Sequence, residues 1–131
     1  MDKPARVNQK YEDGARLLAC CIPVRYASNI GSECPQVLLI SSRSQNGLLF
    51  PKGGWENDES VENAATREAF EEAGIVGRLE VPHFGVYEFS SNKCDNVGFG
   101  KKRIVYVFLL EVREVLESWP ESGHRQRIWV C

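Results

Sequence analysis

Short apolar runs alternate with longer polar stretches along this chain, and the runs have the length of strands rather than helices. RLLACCIPV (16–24) and QVLLIS (36–41) are two such runs, separated by a loop holding Asn29, Gly31 and Pro35. LLF (48–50) follows the turn-like SQNG. RLEVPHFGVYEF (78–89) and RIVYVFLLEV (103–112) supply further strands, joined by the polar, glycine-bearing SSNKCDNVGFGKK. In the last of these, Val105 and Val107 face away from Tyr106 and Phe108, so both faces are apolar and the sheet is expected to be covered on both sides.

One segment reads as a helix, 60–73. Ser60 suits the N-cap, Glu62 falls in the first turn where the helix dipole favours negative charge, and Gly74 suits the residue just past the end. Ala65, Ala69, Ala73 and Phe70 are expected to form its packing face, with Glu68, Glu71 and Glu72 beside them at i, i+3 and i+4.

Composition adds little until charge is located. The 131 residues are 43% hydrophobic and 26% charged, ordinary for one globular domain. The net charge of −2 hides a division: 56–72 hold seven acids and one base, leaving 11 acids and 15 bases elsewhere. An acidic patch in a mildly basic body suits a metal-dependent enzyme acting on a polyanion. No run approaches eighteen apolar residues and the polar N-terminus does not resemble a secretory signal, so a cytoplasmic or nuclear protein without membrane or nucleic-acid partners is expected. The five cysteines show neither a CxxC pair nor zinc spacing, and Cys20 and Cys21 point to opposite faces of one strand; structural thiols are expected.

Three carboxylates on one helical face repel one another unless a cation is shared. Mg²⁺ takes oxygen ligands and keeps waters that phosphate oxygens can replace. Gly53 and Gly54, ahead of the helix, let backbone approach a bound ion or phosphate closely.

The segment also resembles the Nudix box, G-x5-E-x7-R-E-U-x-E-E-x-G-U, through Gly53, Glu59, Arg67, Glu68, Ala69, Glu71, Glu72, Gly74 and Ile75, with Ala69 smaller than the usual aliphatic. The resemblance implies an α/β fold, the Nudix α/β/α sandwich with a mixed sheet, occupying 16–131 after a polar N-terminal segment, 1–15. It implies a hydrolase of diphosphate bonds using Mg²⁺, with Mn²⁺ as a substitute. It places Glu68 and Glu72 on the metal, with Glu71 and the Gly53 carbonyl as further ligands, and makes Glu71 or Glu68 the general base. Glu59 and Arg67 would pair and brace the loop, taking Arg67 away from the metal. Glu88 is another candidate participant. The family fold continues into a C-terminal helix, whereas this sequence stops at Cys131, so that helix is expected to be missing and the face it covers to meet a partner or a second copy.

Shorter strings, VLLISSR, PKGGWE, GRLEV, IVYVFLLEV, EVLESWPE and RQRIW, resemble the diphosphoinositol polyphosphate phosphohydrolases, PKGGWENDES looking most like plant members. Such enzymes remove the β-phosphate of a diphosphorylated inositol, and many also cleave diadenosine polyphosphates. A polyphosphorylated small molecule needs many cations, and Arg16, Arg43, Lys52, Lys101, Lys102, Arg103, Arg125 and Arg127 are the candidates. Two other readings stay open. A nucleotide-cleaving Nudix enzyme would need a base-stacking surface, for which Trp55, Phe84 or Phe99 are available; a non-catalytic phosphate-binding module would keep the fold without turnover. His83, His124, Trp119 and Trp129 are read as structural.

Overall fold

The computed structural model describes residues 8–26, 34–90 and 102–131. The strands are β1 (Tyr11–Glu12), β2 (Ala15–Tyr26), β3 (Pro35–Ser41), β4 (Leu48–Leu49), β5 (Lys52–Gly54), β6 (Ile75–Leu79), β7 (Gly85–Ser90), β8 (Lys102–Val115) and β9 (Arg127–Val130). A single helical unit lies between β5 and β6: helix α1 (Val61–Glu68) runs directly into a π-helical turn, Ala69–Ala73. Among the described residues no helix is long and apolar enough to cross a membrane.

The sheet is mixed. Its spine is β4-β3-β2-β8-β6, with β1 and β5 also on β2, β7 on β8 and β9 on β3. β2 and β8, the longest strands, run parallel from Arg16↔Arg103 to Val24↔Glu111, while the other pairs are antiparallel. The polar stretch ahead of Arg16 joins the sheet as well: β1 pairs with β2, and the buried Gln9 side chain donates to the Lys10 and Leu17 carbonyls at 2.8 Å each.

The expected two-faced strand is present. Ala19 and Cys21 of β2 and Phe108 and Leu110 of β8 join Leu38 and Ile40 under Ala64, Ala65, Ala69 and Ala73 of the helical unit. Small side chains let the helix come so close that the Cys21 thiol donates to the Ala65 carbonyl at 3.2 Å. Leu18, Cys20, Val105 and Val107 form a separate cluster on the opposite face, bordered by Ile22 and Phe50. Burial pushes the Cys20 thiol up to about 12 and the Cys21 thiol higher still, so neither forms a thiolate near neutral pH.

Helix α1 begins as its sequence dictates, the Ser60 hydroxyl accepting from the Asn63 N–H at 3.1 Å. It ends at Gly74, whose φ of +65° suits glycine and whose missing Cβ leaves room for the Trp119 ring. Phe70 is a correction to the expected packing face: it is 41% exposed. At about 100° per residue it sits about 140° around the helix from Ala65, whereas Glu68 and Glu72 lie within about 60° of Ala65. The buried stripe therefore passes through two glutamates instead of the phenylalanine.

Candidate active site

The segment after β8 determines how these glutamates are held. Residues 116–127 cross the end of the π turn and satisfy four successive carbonyls that the helix leaves open. Leu116 N–H donates to Gly74 O at 2.8 Å and Glu121 N–H to Glu71 O at 3.0 Å. The Trp119 indole donates to Glu72 O at 3.0 Å and Arg127 Nη1 to Ala73 O at 3.1 Å. Arg127 also lies over the Trp119 ring, 3.8 Å from its centroid.

Glu68 is wholly buried and Glu72 is 5% exposed. Glu72 Oε1 accepts the Lys52 backbone N–H at 3.1 Å, which fastens the turn to β5. Burial above all, with the charges of Glu68 and Glu121 adding to it, pushes the Glu72 carboxyl up to about 7; the Lys52 N–H and the Arg125 charge pull the other way. Gly53 lies directly against Glu68, and a Cβ there would overlap the carboxyl group. Glu71, half-buried, meets Arg67 Nη1 at 3.4 Å.

The expected Glu59–Arg67 pair is present, with Arg67 Nη2 and Nε donating to Glu59 at 2.7 and 3.0 Å. Arg67 also reaches the Gly54 carbonyl at 2.9 Å, bracing the loop. It is not withdrawn from the other carboxylates, because Nη1 sits 3.0 Å from Glu68 Oε2. The hydrogen bond to Glu59 raises the Arg67 guanidinium pKa despite partial burial. Burial alone would raise the Glu59 carboxyl, but Arg67 and the Glu56 N–H together hold it below the usual carboxylate range.

Among the described residues no three His, Cys, Asp or Glu side chains converge into a finished metal cage. The donor set nevertheless fits a hard cation: two buried, mutually repelling carboxylates lie against β5, Glu72 on the Lys52 N–H and Glu68 on Gly53, where a Cβ would overlap it. Mg²⁺ commonly takes one or two protein carboxylates and completes its shell with water and substrate phosphate.

Glu72, Lys52 and Gly53 open onto a cleft of about 750 Å³ on the sheet face away from the helix. Leu18, Cys20, Val105 and Val107 form its apolar floor, and Arg16, Arg43, Lys52 and Arg103 line it with positive charge. Four of the eight expected bases thus come together. The parallel register explains part of this, since Arg16 and Arg103 are direct neighbours on β2 and β8. Lys101 lies outside the described residues. Lys102 is on the opposite face, 3.5 Å from Glu88, so neither of those two side chains borders the cleft. Arg125 and Arg127 are inside the fold instead of in the cleft: Arg125 is buried among Glu121, Glu72 and the Ser41 carbonyl, and Arg127 caps the turn.

Tyr87 and Phe89 also line the cleft and are absent from the sequence-based expectations. Their signal was the alternation in VYEF, which puts both rings on the face opposite Glu88. Trp55 is a packing anchor, its ring edge-on to Tyr106 and its indole donating to the Glu59 carbonyl at 2.8 Å. Phe84 is exposed outside the cleft, and Phe99 lies outside the described residues. His83 packs edge-on to Tyr106 and Phe108, in keeping with a structural role.

Residues 24–131 match the family described as the NUDIX domain. The chain belongs to the Nudix hydrolase family. Nudix hydrolase 16, mitochondrial, from Arabidopsis thaliana is 46% identical over 98% of this chain and 74% of its own length. Diphosphoinositol polyphosphate phosphohydrolase 3-alpha from Mus musculus is 34% identical over 97% of this chain and 71% of its own. A Nudix hydrolase structure from Nitrosomonas europaea superposes with a TM-score of 0.64 at 19% identity, covering 88% of this chain and 71% of that one. The mixed sheet with its helical unit is therefore the Nudix α/β fold, and the chain is a hydrolase of a family whose members generally act on small phosphorylated molecules with a divalent metal ion.

Proposed function

We propose that this Nudix hydrolase uses Mg²⁺ to cleave a diphosphate bond in a polyphosphorylated small molecule, foremost the β-phosphate of a diphosphoinositol polyphosphate. The observation that carries the reading is that Glu72, beside the wholly buried Glu68, borders a cleft lined by Arg16, Arg43, Lys52 and Arg103. A substrate with phosphates on several sides would engage several of these cations at once, the arginine forks bidentately. The mouse relative named as a diphosphoinositol polyphosphate phosphohydrolase supports the substrate class.

Glu68, Glu72 and the Gly53 carbonyl would hold the ion, which supplies charge neutralisation at the phosphoryl oxygens and a more acidic water. The four cleft cations orient the substrate and stabilise the departing phosphate ester. Water oxygen bonds to the terminal phosphorus, the bond to the bridging oxygen breaks, and the electron pair leaves with that oxygen. Of the two base candidates, Glu71 keeps 32% of its side chain exposed and Glu68 only 1%, so Glu71 is assigned the water proton. Arg67, touching both, keeps their charges oriented.

A dinucleoside polyphosphate is the second reading, favoured by Tyr87 and Phe89 over the apolar floor, where a nucleobase could stack. The deciding experiment is phosphate release with Mg²⁺ from a diphosphoinositol polyphosphate and from a diadenosine polyphosphate, with Glu72→Gln as control. Preference for the inositol substrate supports the first reading, preference for the nucleotide the second. No turnover of either by folded wild-type protein would reject both in favour of a binding module.

A further inference from the structure

Arg125 is held by two short contacts and stands off from a third group. Its Nε–H donates to Glu121 Oε1 at 3.0 Å and its Nη1–H to the Ser41 carbonyl at 2.9 Å, while Nη2 stays 3.6 Å from Glu72 Oε2. That separation exceeds the hydrogen-bond length expected of a charged pair. All three side chains are nearly inaccessible, 6% for Arg125, 11% for Glu121 and 7% for Glu72, so solvent screens them little. A buried guanidinium beside a carboxylate ordinarily closes on it with two parallel bonds. Here two of its donors are already committed to Glu121 and Ser41.

Glu121 is itself placed from three directions. Its N–H is fixed to Glu71 O at 3.0 Å, Oε1 holds Arg125, and Oε2 faces the cleft arginine Arg43 at 3.7 Å. On Glu72, Oε1 is engaged by the Lys52 N–H, and Oε2 is the oxygen from which Arg125 stands back.

Building on the reading that Glu72 binds a divalent cation, we propose that Glu121 is a positioning residue of the cation site: it anchors Arg125 so that the guanidinium balances the charge of Glu72 without occupying the oxygen the cation needs. Glu121 touches neither ion nor substrate and acts through Arg125. Losing its charge lowers cation affinity in two ways of the same sign. It removes a nearby negative charge, and it releases Arg125 to close on Glu72.

The test is Mn²⁺ binding to the full chain, read by calorimetry or by the electron paramagnetic resonance of free Mn²⁺, without any substrate. Glu121→Gln, nearly isosteric, is expected to weaken binding about tenfold, a change that loss of one adjacent charge at low effective dielectric readily supplies. Glu121→Gln with Arg125→Met is expected to restore affinity to the wild-type level or above, because the released competitor is gone. An unchanged affinity in Glu121→Gln, or a deeper loss in the double variant, overturns the proposal. The double variant replaces a buried ion pair with neutral side chains, a change often tolerated, so where the single variant does not fold the double is compared with wild type directly, and an affinity below wild type overturns the proposal. Wild-type protein that binds no Mn²⁺ would overturn the cation reading and this proposal together, an outcome distinct from the other two.

Discussion

Lys52 gives its backbone N–H to Glu72 across 3.1 Å, tying the short strand β5 to the π turn where cleft and helix meet. A glutamine at 72 can still accept this bond through its side-chain oxygen, but it cannot balance a cation. Glu72→Gln is therefore expected to retain the fold and to lose at least about a hundredfold in kcat, in the range by which even indirect partners of a metal lower activity. Circular dichroism and steady-state phosphate release check both halves, and chelation by EDTA should silence the wild type in the same way.

The raised Glu72 pKa makes the metal-free protein depend on pH in a definite direction. Its folded value of about 7 lies above the ordinary 4.5, so between those limits the folded state binds more protons than the unfolded one. By linkage, the stability this group contributes is fully present below about pH 4.5 and is lost as pH rises through about 7. Urea melts in EDTA at pH 5 and pH 8 should show wild type losing stability relative to Glu72→Gln as pH rises. A constant difference between the two would mean that Glu72 ionises normally.

Gly53→Ala places a methyl group into the Glu68 carboxyl. Displacing that buried side chain should destabilise the protein by about 1–3 kcal/mol, as overpacking generally does, and should reduce Mn²⁺ affinity as well. A variant with wild-type melting temperature and metal binding would show that β5 and the helix can separate freely at this point.

Arg67→Lys keeps the charge but loses the fork that spans Glu59, Gly54 and Glu68. The site is a quarter exposed, so the cost is set at about 2 kcal/mol, below that of breaking a fully buried pair. The Glu59 share of the pairing is present above the ordinary carboxylate pKa and disappears as pH falls through its depressed folded value. The difference in denaturation midpoint between wild type and Arg67→Lys should therefore shrink in strong acid.

Much of this site can be read in the sequence because its chemistry is packed into 53–75, where spacing alone places glycine, arginine and glutamates. The strands at β2, β3 and β8 are equally legible, being apolar runs with clear ends. Phe70 shows where pattern reading fails: hydrophobicity suggested an inward side chain, but the face that packs on the sheet also has to carry Glu68 and Glu72. Arg125 and Arg127 fail for another reason. Beyond the local Glu121, what draws them inward is the Ser41 carbonyl and Glu72 for Arg125 and the Ala73 carbonyl for Arg127, all brought from far along the chain, and no local period records such contacts.

The cleft predictions separate charge from stacking. Arg16→Gln and Arg103→Gln should raise KM for a phosphate-rich substrate several-fold with little change in kcat, whereas Lys102→Ala, paired with Glu88 on the other face, should leave KM unaltered. Tyr87→Ala should weaken a dinucleoside polyphosphate by the roughly 1–3 kcal/mol typical of a lost base–aromatic stack and leave an inositol polyphosphate nearly untouched. Steady-state kinetics on the two substrates provides the comparison.

The strap over the π turn also bears on the order in which the molecule matures. Trp119 reaches back 47 residues to Glu72, and Arg127 reaches back 54 to Ala73. Contacts so distant in sequence form late, because the intervening chain must first be ordered. During synthesis from the N-terminus, the glutamates leave the ribosome well before the residues that fix their backbone. A nascent chain halted between the π turn and Trp119 would carry Glu68, Glu71 and Glu72 and still lack the contacts that fix their backbone, so the geometry of the site waits for the strap and β9.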